Sequence, residues 1–337
     1  MTTYTKAAIV GIESKQLTDA EKDLFQKHKP FGFILFTRNC QNIHQTKALV
    51  KELRACVGWE CPILIDQEGG RVARLKSPEW EEFPTPKTFR DYYDLDAYLG
   101  QKKVFENAVS MARQLNDIEV NVNCAPMVDL YFDDAHDIVG DRALGTTPFQ
   151  AAFMARRVID GFHENGIIPI IKHIPGHGRA MADSHLELPR VSAPMRDLVN
   201  EDFHAFKLLV ANLKNTGSPM PWAMTAHLLY EEIDPENCAT HSSAVVRDII
   251  RDHIGFDGLL ITDCLTMAAL SGDYAERATK SLDAGCDIVL HCSGHLGQMS
   301  EILQGIPTMA KISLDRYIKS LPQNDGVIPE LKSGTLQ

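Results

Sequence analysis

The chain has 337 residues, 44% hydrophobic and 23% charged, an ordinary globular composition that supplies a sizeable core and excludes a disordered chain. A formal net charge of −11 excludes a polyanion-binding protein, because phosphate binding needs clustered Lys and Arg; nucleic acid is not an expected partner. No stretch approaches the ~18 apolar residues that span a bilayer, and MTTYTKAAIVGIESK lacks a secretory h-region, so a soluble, cytoplasmic protein without a membrane partner is expected.

Short apolar runs rich in β-branched residues recur along the chain. They fall at 7–12, 32–37, 62–66, 119–130, 168–173, 222–227, 258–263 and 286–292. Continuous runs of this kind suit strands buried on both faces. Helical spacing lies between them. Thr18-Asp19-Ala20-Glu21 reads as a capping box; Val104, Phe105, Ala108, Ala112 and Leu115 form one apolar stripe, and Val245, Val246, Ile249, Ile250 and Ile254 another. Polar segments at 74–100, 174–200 and 228–243 look like long connections. The eight cysteines (40, 56, 61, 124, 238, 264, 286 and 292) show no CxxC pairing, which predicts free, mostly buried thiols in a reducing compartment.

Eight strands alternating with helices predict an α/β fold with a parallel sheet, and eight is the number that closes a (β/α)8 barrel. One barrel domain over 1–337 is expected, with an extended tail from about 320 and a monomer as the favoured state. An open dinucleotide-binding sheet loses, because Gly176-His177-Gly178 is followed by Met181 where a third small residue should stand.

Active sites of such barrels lie at the C-terminal ends of the strands. The polar residues ending the apolar runs are Arg38 and Asn39, Asp66, Asp129, Lys172 and His173, His227, Asp263, and His291. The densest signal is Lys172-His173-Ile174-Pro175-Gly176-His177-Gly178 followed by Asp183-Ser184-His185. Asp183 and His185 stand two apart, on one side of an extended chain, and a carboxylate beside an imidazole makes a competent acid and base near neutral pH. Asp263, directly after an apolar strand, is either a helix N-cap or a carboxylate aimed into the barrel mouth; spacing leaves both open. Asp66, before Gly69-Gly70, can accept hydrogen bonds from vicinal hydroxyls, and carboxylates with Arg and Lys suit a neutral polyol such as a sugar.

KHIPGHG with DSH downstream, GLLITDCLTM, DQEGGRVARL and GDRALG, in order between about Ala8 and Tyr317, together resemble glycoside hydrolase family 3. The resemblance is to its single-barrel bacterial β-N-acetylhexosaminidases of peptidoglycan recycling. It implies that Asp263 is the nucleophile and that His185, paired with Asp183, first protonates the leaving oxygen and then activates water. It further implies that Asp66, Arg74, Arg142, Lys172 and His173 hold N-acetylglucosamine, with no metal or cofactor. The implied reaction removes N-acetylglucosamine from cell-wall muropeptides with retention. Two features depart from the pattern: Cys264 stands where many relatives carry a second Asp, and the C-terminal SLPQNDGVIPELKSGTLQ matches no family element. The chain also lacks the second domain of many family members, so the sugar contacts must come from the barrel or a neighbouring subunit.

Rival readings remain from the residues, among them a broader β-glucosidase and a sugar-binding barrel without catalysis. His173, His227 and His291 end three strands and could ligate metal in a barrel hydrolase, although neither a His-x-His pair nor HExxH is present. The same site could also carry out phosphorolysis, since a histidine repels phosphate less than a carboxylate does.

Overall fold

A computed structural model describes residues 5–184 and 186–322. Its eight principal strands are β1 (Lys6–Val10), β2 (Pro30–Leu35), β3 (Ile63–Ile65), β4 (Val122–Asn123), β5 (Ile168–Ile174), β6 (Trp222–Thr225), β7 (Leu260–Cys264) and β8 (Ile288–His291). Each pairs in parallel with its sequence neighbours, and β1 pairs with β8 through Ala8 and Val289, closing the expected barrel. Alternate strand residues explain its two cores. Ile9, Ile34, Leu64, Ile170, Met224, Ile261 and Leu290 fill the interior. Val10, Leu35, Ile65 and Ile171 point outward, under the helices.

Those helices are α1 (Asp19–His28), α2 (Ile43–Val57), α3 (Pro86–Leu95), α4 (Ala97–Asp117), α5 (Pro148–His163), α6 (Met195–Asn200), α7 (Asp202–Thr216), α8 (Tyr274–Ala284), α9 (Leu296–Gly305) and α10 (Lys311–Ser320). The capping box at Thr18 is present: its hydroxyl accepts from Glu21 N at 3.2 Å, and Glu21 Oε2 accepts from Thr18 N at 2.8 Å. Thr18→Ala should cost about 1 kcal/mol. At this chain length the thermal midpoint should fall by about 2 °C, measurable by calorimetry, whereas an unchanged midpoint would mean water replaces the cap without loss.

Three expectations are corrected. The apolar run at 119–130 yields only a two-residue strand. On the β3 side the Asn123 side chain takes over the ladder, accepting from Gln67 N at 3.0 Å and donating to Gln67 O at 2.8 Å, and Pro126 has no N–H to continue it, while backbone bonds to β5 run on to Val128. The segment 74–100 is not one loop, because α3 occupies much of it with Pro86 at its first turn. The stripe beginning at Val245 winds as a π-helix, Val245–His253, not an α-helix. No helix among the described residues is long and apolar enough to cross a membrane.

Two connections shape the barrel mouth. After β3 a small antiparallel hairpin joins Gln67–Gly69 to Val72–Ala73. Its turn uses Gly69 at φ +94°, where a Cβ would sit 2.3 Å from Pro84 O. After β5 the long loop is tied down because Arg190–Val191 pairs with Leu229–Tyr230 from the connection after β6. The Tyr230 hydroxyl also donates to Gly176 O.

Candidate active site

A cavity of about 320 Å³ opens at the C-terminal ends of the strands. One wall is an ion network. Asp66, leaving β3, accepts from Arg74 Nη2 at 2.9 Å and lies 3.3 Å from Lys172 Nζ. Glu68 receives both Nε and Nη2 of Arg142 at 2.9 Å, and Lys172 Nζ lies 2.5 Å from its Oε1. Burial by itself would raise the pKa of both carboxyl groups, but Lys172 with Arg74 holds Asp66 below its ordinary value, and Arg142 with Lys172 does so for Glu68. Burial likewise disfavours the Lys172 cation, yet Glu68 and Asp66 raise its pKa. The network is therefore fully charged at neutral pH, with its cations paired to Asp66 and Glu68 at the cavity wall.

The floor is a carboxylate–imidazole–carboxylate line. Asp129 is buried, accepts from His173 Nδ1 at 2.7 Å and from His177 N at 2.7 Å, and also accepts from His173 N. Burial opposes ionisation, but the facing His173 and His177 groups keep Asp129 below the ordinary carboxylate value. Its partner His173 turns Nε2 toward Asp263 Oδ2, 4.0 Å away. Asp263 Oδ1 accepts from Cys264 N at 2.7 Å. His177 is pushed down to about 4 by burial and by the neighbouring His173, so its ring is neutral at pH 7. Its Nε2 lies 3.4 Å from Ser184 Oγ, and Ser184 lines the same cavity.

The sequence candidates divide cleanly. Asp66, Arg74, Arg142, Lys172, His173 and Asp263 all line the cavity. Asp263 is no helix cap: it lies within β7, and the next helix, α8, is capped by Asp273. Asp183 is described, on the loop beside Ser184, while His185 lies outside the described residues. Other strand-end polar residues prove to be ties. Arg38 donates to Ile12 O and Cys292 O, Asn39 to Ile12 O and Ser14 O. His227 is engaged with Thr240 Oγ1 at 2.7 Å and Cys264 O at 3.1 Å, and His291 with Ser293 Oγ at 2.8 Å. The three strand-end histidines thus do not converge, and no His, Cys, Asp or Glu cluster among the described residues is arranged to hold a metal ion. Glu68 was missed, although it stands two residues after Asp66 and so on the same side of an extended chain.

Residues 5–316 match the model of the glycosyl hydrolase family 3 N-terminal domain. Among similar proteins is one named β-hexosaminidase from Idiomarina loihiensis, 30% identical over 96% of this chain and 95% of its own. Another of that name, from Glaesserella parasuis, is 34% identical over 85% of this chain and 80% of its own. Among solved structures, native NagZ from Neisseria gonorrhoeae superposes with a TM-score of 0.85 at 29% identity, covering 94% of this chain and 90% of that one. The same protein has been solved in complex with N-trifluoroacetyl-D-glucosamine, at a TM-score of 0.84 and 28% identity, covering 94% of this chain and 90% of that one. The barrel, the charged cleft at its mouth and these similarities agree: the chain belongs to glycosyl hydrolase family 3.

Proposed function

We propose that this enzyme is a retaining exo-β-N-acetylglucosaminidase acting on cell-wall muropeptides, such as N-acetylglucosaminyl-anhydro-N-acetylmuramic acid with or without its peptide. The observation that carries the reading is the cavity in which Asp263 faces the Asp66, Arg74, Glu68, Lys172 and Arg142 network. A polar wall of that kind suits a neutral sugar with several hydroxyls, each able to donate to a carboxylate and accept from a cation. In this reading Asp263 attacks the anomeric carbon and forms a glycosyl ester. His185, oriented by Asp183, gives a proton to the departing oxygen and then takes one from water. Asp66, Arg74, Arg142, Lys172 and His173 hold the sugar, while Asp129 keeps His173 Nε2 directed at the reacting side. One domain over 1–337 supplies these groups, and a cytoplasmic location accords with eight free thiols.

The direct test is turnover of 4-nitrophenyl N-acetyl-β-glucosaminide against the corresponding glucoside. The acetamide-bearing substrate should be strongly preferred, because hydrogen bonds to that group are left unmade by glucose. Equal rates would point to a broad β-glucosidase, and a rate that depends on inorganic phosphate would point to phosphorolysis.

His185→Ala should slow hydrolysis of substrates with poor leaving groups by about 10²- to 10⁴-fold, and less for the nitrophenyl glycoside. Azide, which needs no base, should then restore turnover and yield the β-glycosyl azide. Asp183→Asn should cost less and lower the pH at which the imidazole loses its proton, since its carboxylate partner is gone. Uniform loss across leaving groups without azide rescue would place the acid elsewhere.

A further inference from the structure

Two thiols stand beside the proposed nucleophile. Cys264 closes β7 immediately after Asp263, Cys292 follows β8, and both line the cavity. Cys292 N donates to Cys264 Sγ at 3.3 Å, which brings the two residues into contact. Thr266 Oγ1 lies 3.0 Å from Cys264 Sγ. None of this is needed for glycoside hydrolysis, and both residues belong to strand ends that the barrel holds side by side.

The pair is also chemically asymmetric. Cys264 is lowered from the ordinary thiol value, first by the hydrogen bond from the Cys292 side chain, which outweighs burial, and further by Thr266. The remaining six cysteines are buried outside the cavity lining. Burial pushes Cys40 and Cys61 up to about 12 and Cys238 to about 11, which denies them thiolate at neutral pH.

We propose that Cys264 and Cys292 form a modification site for hydroperoxides, at which the pair closes into a disulfide across the β7 and β8 ends and shuts the sugar cleft. The Cys264 thiolate attacks a peroxide oxygen; the O–O bond breaks, and the departing oxygen takes a proton and leaves as water or an alcohol. The resulting sulfenic acid is attacked by the Cys292 sulfur. The S–O bond breaks, and water leaves with the Cys292 proton. The pair loses two electrons and two hydrogens, and the peroxide is reduced. A thiol reverses the bond by exchange. Cys264 N is the donor to Asp263 Oδ1 at 2.7 Å, so pulling Cys264 toward Cys292 displaces the carboxylate. The effect on catalysis rests on the role proposed for Asp263; the thiol chemistry does not.

The test is a time course with hydrogen peroxide, followed in parallel by nitrophenyl N-acetyl-β-glucosaminide hydrolysis and by non-reducing peptide mapping after alkylation of free thiols. A linked Cys264–Cys292 peptide should accumulate as the rate falls by about 10²-fold, and dithiothreitol should reverse both. Cys264→Ser should hold its own starting rate through the same treatment. Cys292→Ser, unable to close the bond, should carry a dimedone adduct on Cys264. Oxidation beginning at other cysteines, or both thiols still alkylatable once activity is gone, would overturn the proposal. A linked peptide with undiminished hydrolysis would overturn the closure of the cleft, while the role of Asp263 is decided separately by Asp263→Ala and by the sugar label.

Discussion

Asp263→Ala should lower kcat for N-acetyl-β-glucosaminides by at least about 10⁴-fold and leave the thermal midpoint nearly unchanged. The two halves of the expectation come from different observations. The carboxylate makes a backbone hydrogen bond to Cys264 N and faces His173 Nε2 at 4.0 Å, an arrangement aimed into the cavity and not into a packed layer. Its removal takes away the group that would bond to the sugar and empties no apolar space. With a 2-fluoro glycosyl donor, whose second step is slowed, intact-mass and peptide analysis should find one sugar on the peptide containing Asp263. A label on Asp66 or Glu68, or a variant that keeps a few per cent of the wild-type rate, would overturn the assignment.

Glu68→Gln should destabilise the protein by about 3 to 5 kcal/mol, the ordinary cost of removing one partner from a buried ion pair. Its side chain and those of Lys172 and Arg142 are 2%, 3% and 9% exposed, so water cannot replace the lost charge. The pH dependence has a definite sign. Because the cations hold Glu68 below its ordinary 4.5, its stabilisation is complete above that value and is lost as the pH falls through the folded-state value. Denaturant unfolding followed from about pH 8 down to about pH 2 should show the wild type losing stability below the ordinary carboxylate value and the variant losing less. Removing Lys172 as well should cost less than the two single losses added together, since the partners share one network. A Glu68→Gln variant within about 1 kcal/mol of wild type at pH 7 would mean that Asp66 alone balances Lys172.

The barrel was legible because strands buried on both faces write themselves as uninterrupted apolar runs, and those at 32–37, 168–173 and 258–263 became β2, β5 and β7. The run at 119–130 misled because apolar content reports burial and not which group closes the ladder; there an Asn side chain does it. The same limit applied to the site. A polar residue at a strand end is certain to reach the barrel rim, but its neighbours are chosen by tertiary structure. Thus Lys172 meets Asp66 and Glu68 in the cleft, whereas Arg38 turns aside to the carbonyls of Ile12 and Cys292. Glu68 escaped notice because it follows the strand inside a hairpin, where an acidic residue beside glycines looks like solvated turn.

The closing of the ring by β1 against β8 carries a cost in time. Those strands stand near opposite ends of the chain, and their seam is reinforced from the far side: Met309 N donates to Thr5 O at 2.8 Å, and Arg316 Nη1 donates to Asp287 at 2.7 Å. During synthesis at 5–20 residues per second, β1 would emerge roughly 15 to 60 s before its partner. For that interval the apolar edge at Ala7–Val10 stands without a neighbour, an invitation to wrong pairings that a helical bundle of the same length avoids. The nascent chain needs shelter longest at its oldest end, and Asp263 takes its place in a closed ring only when the youngest strand arrives.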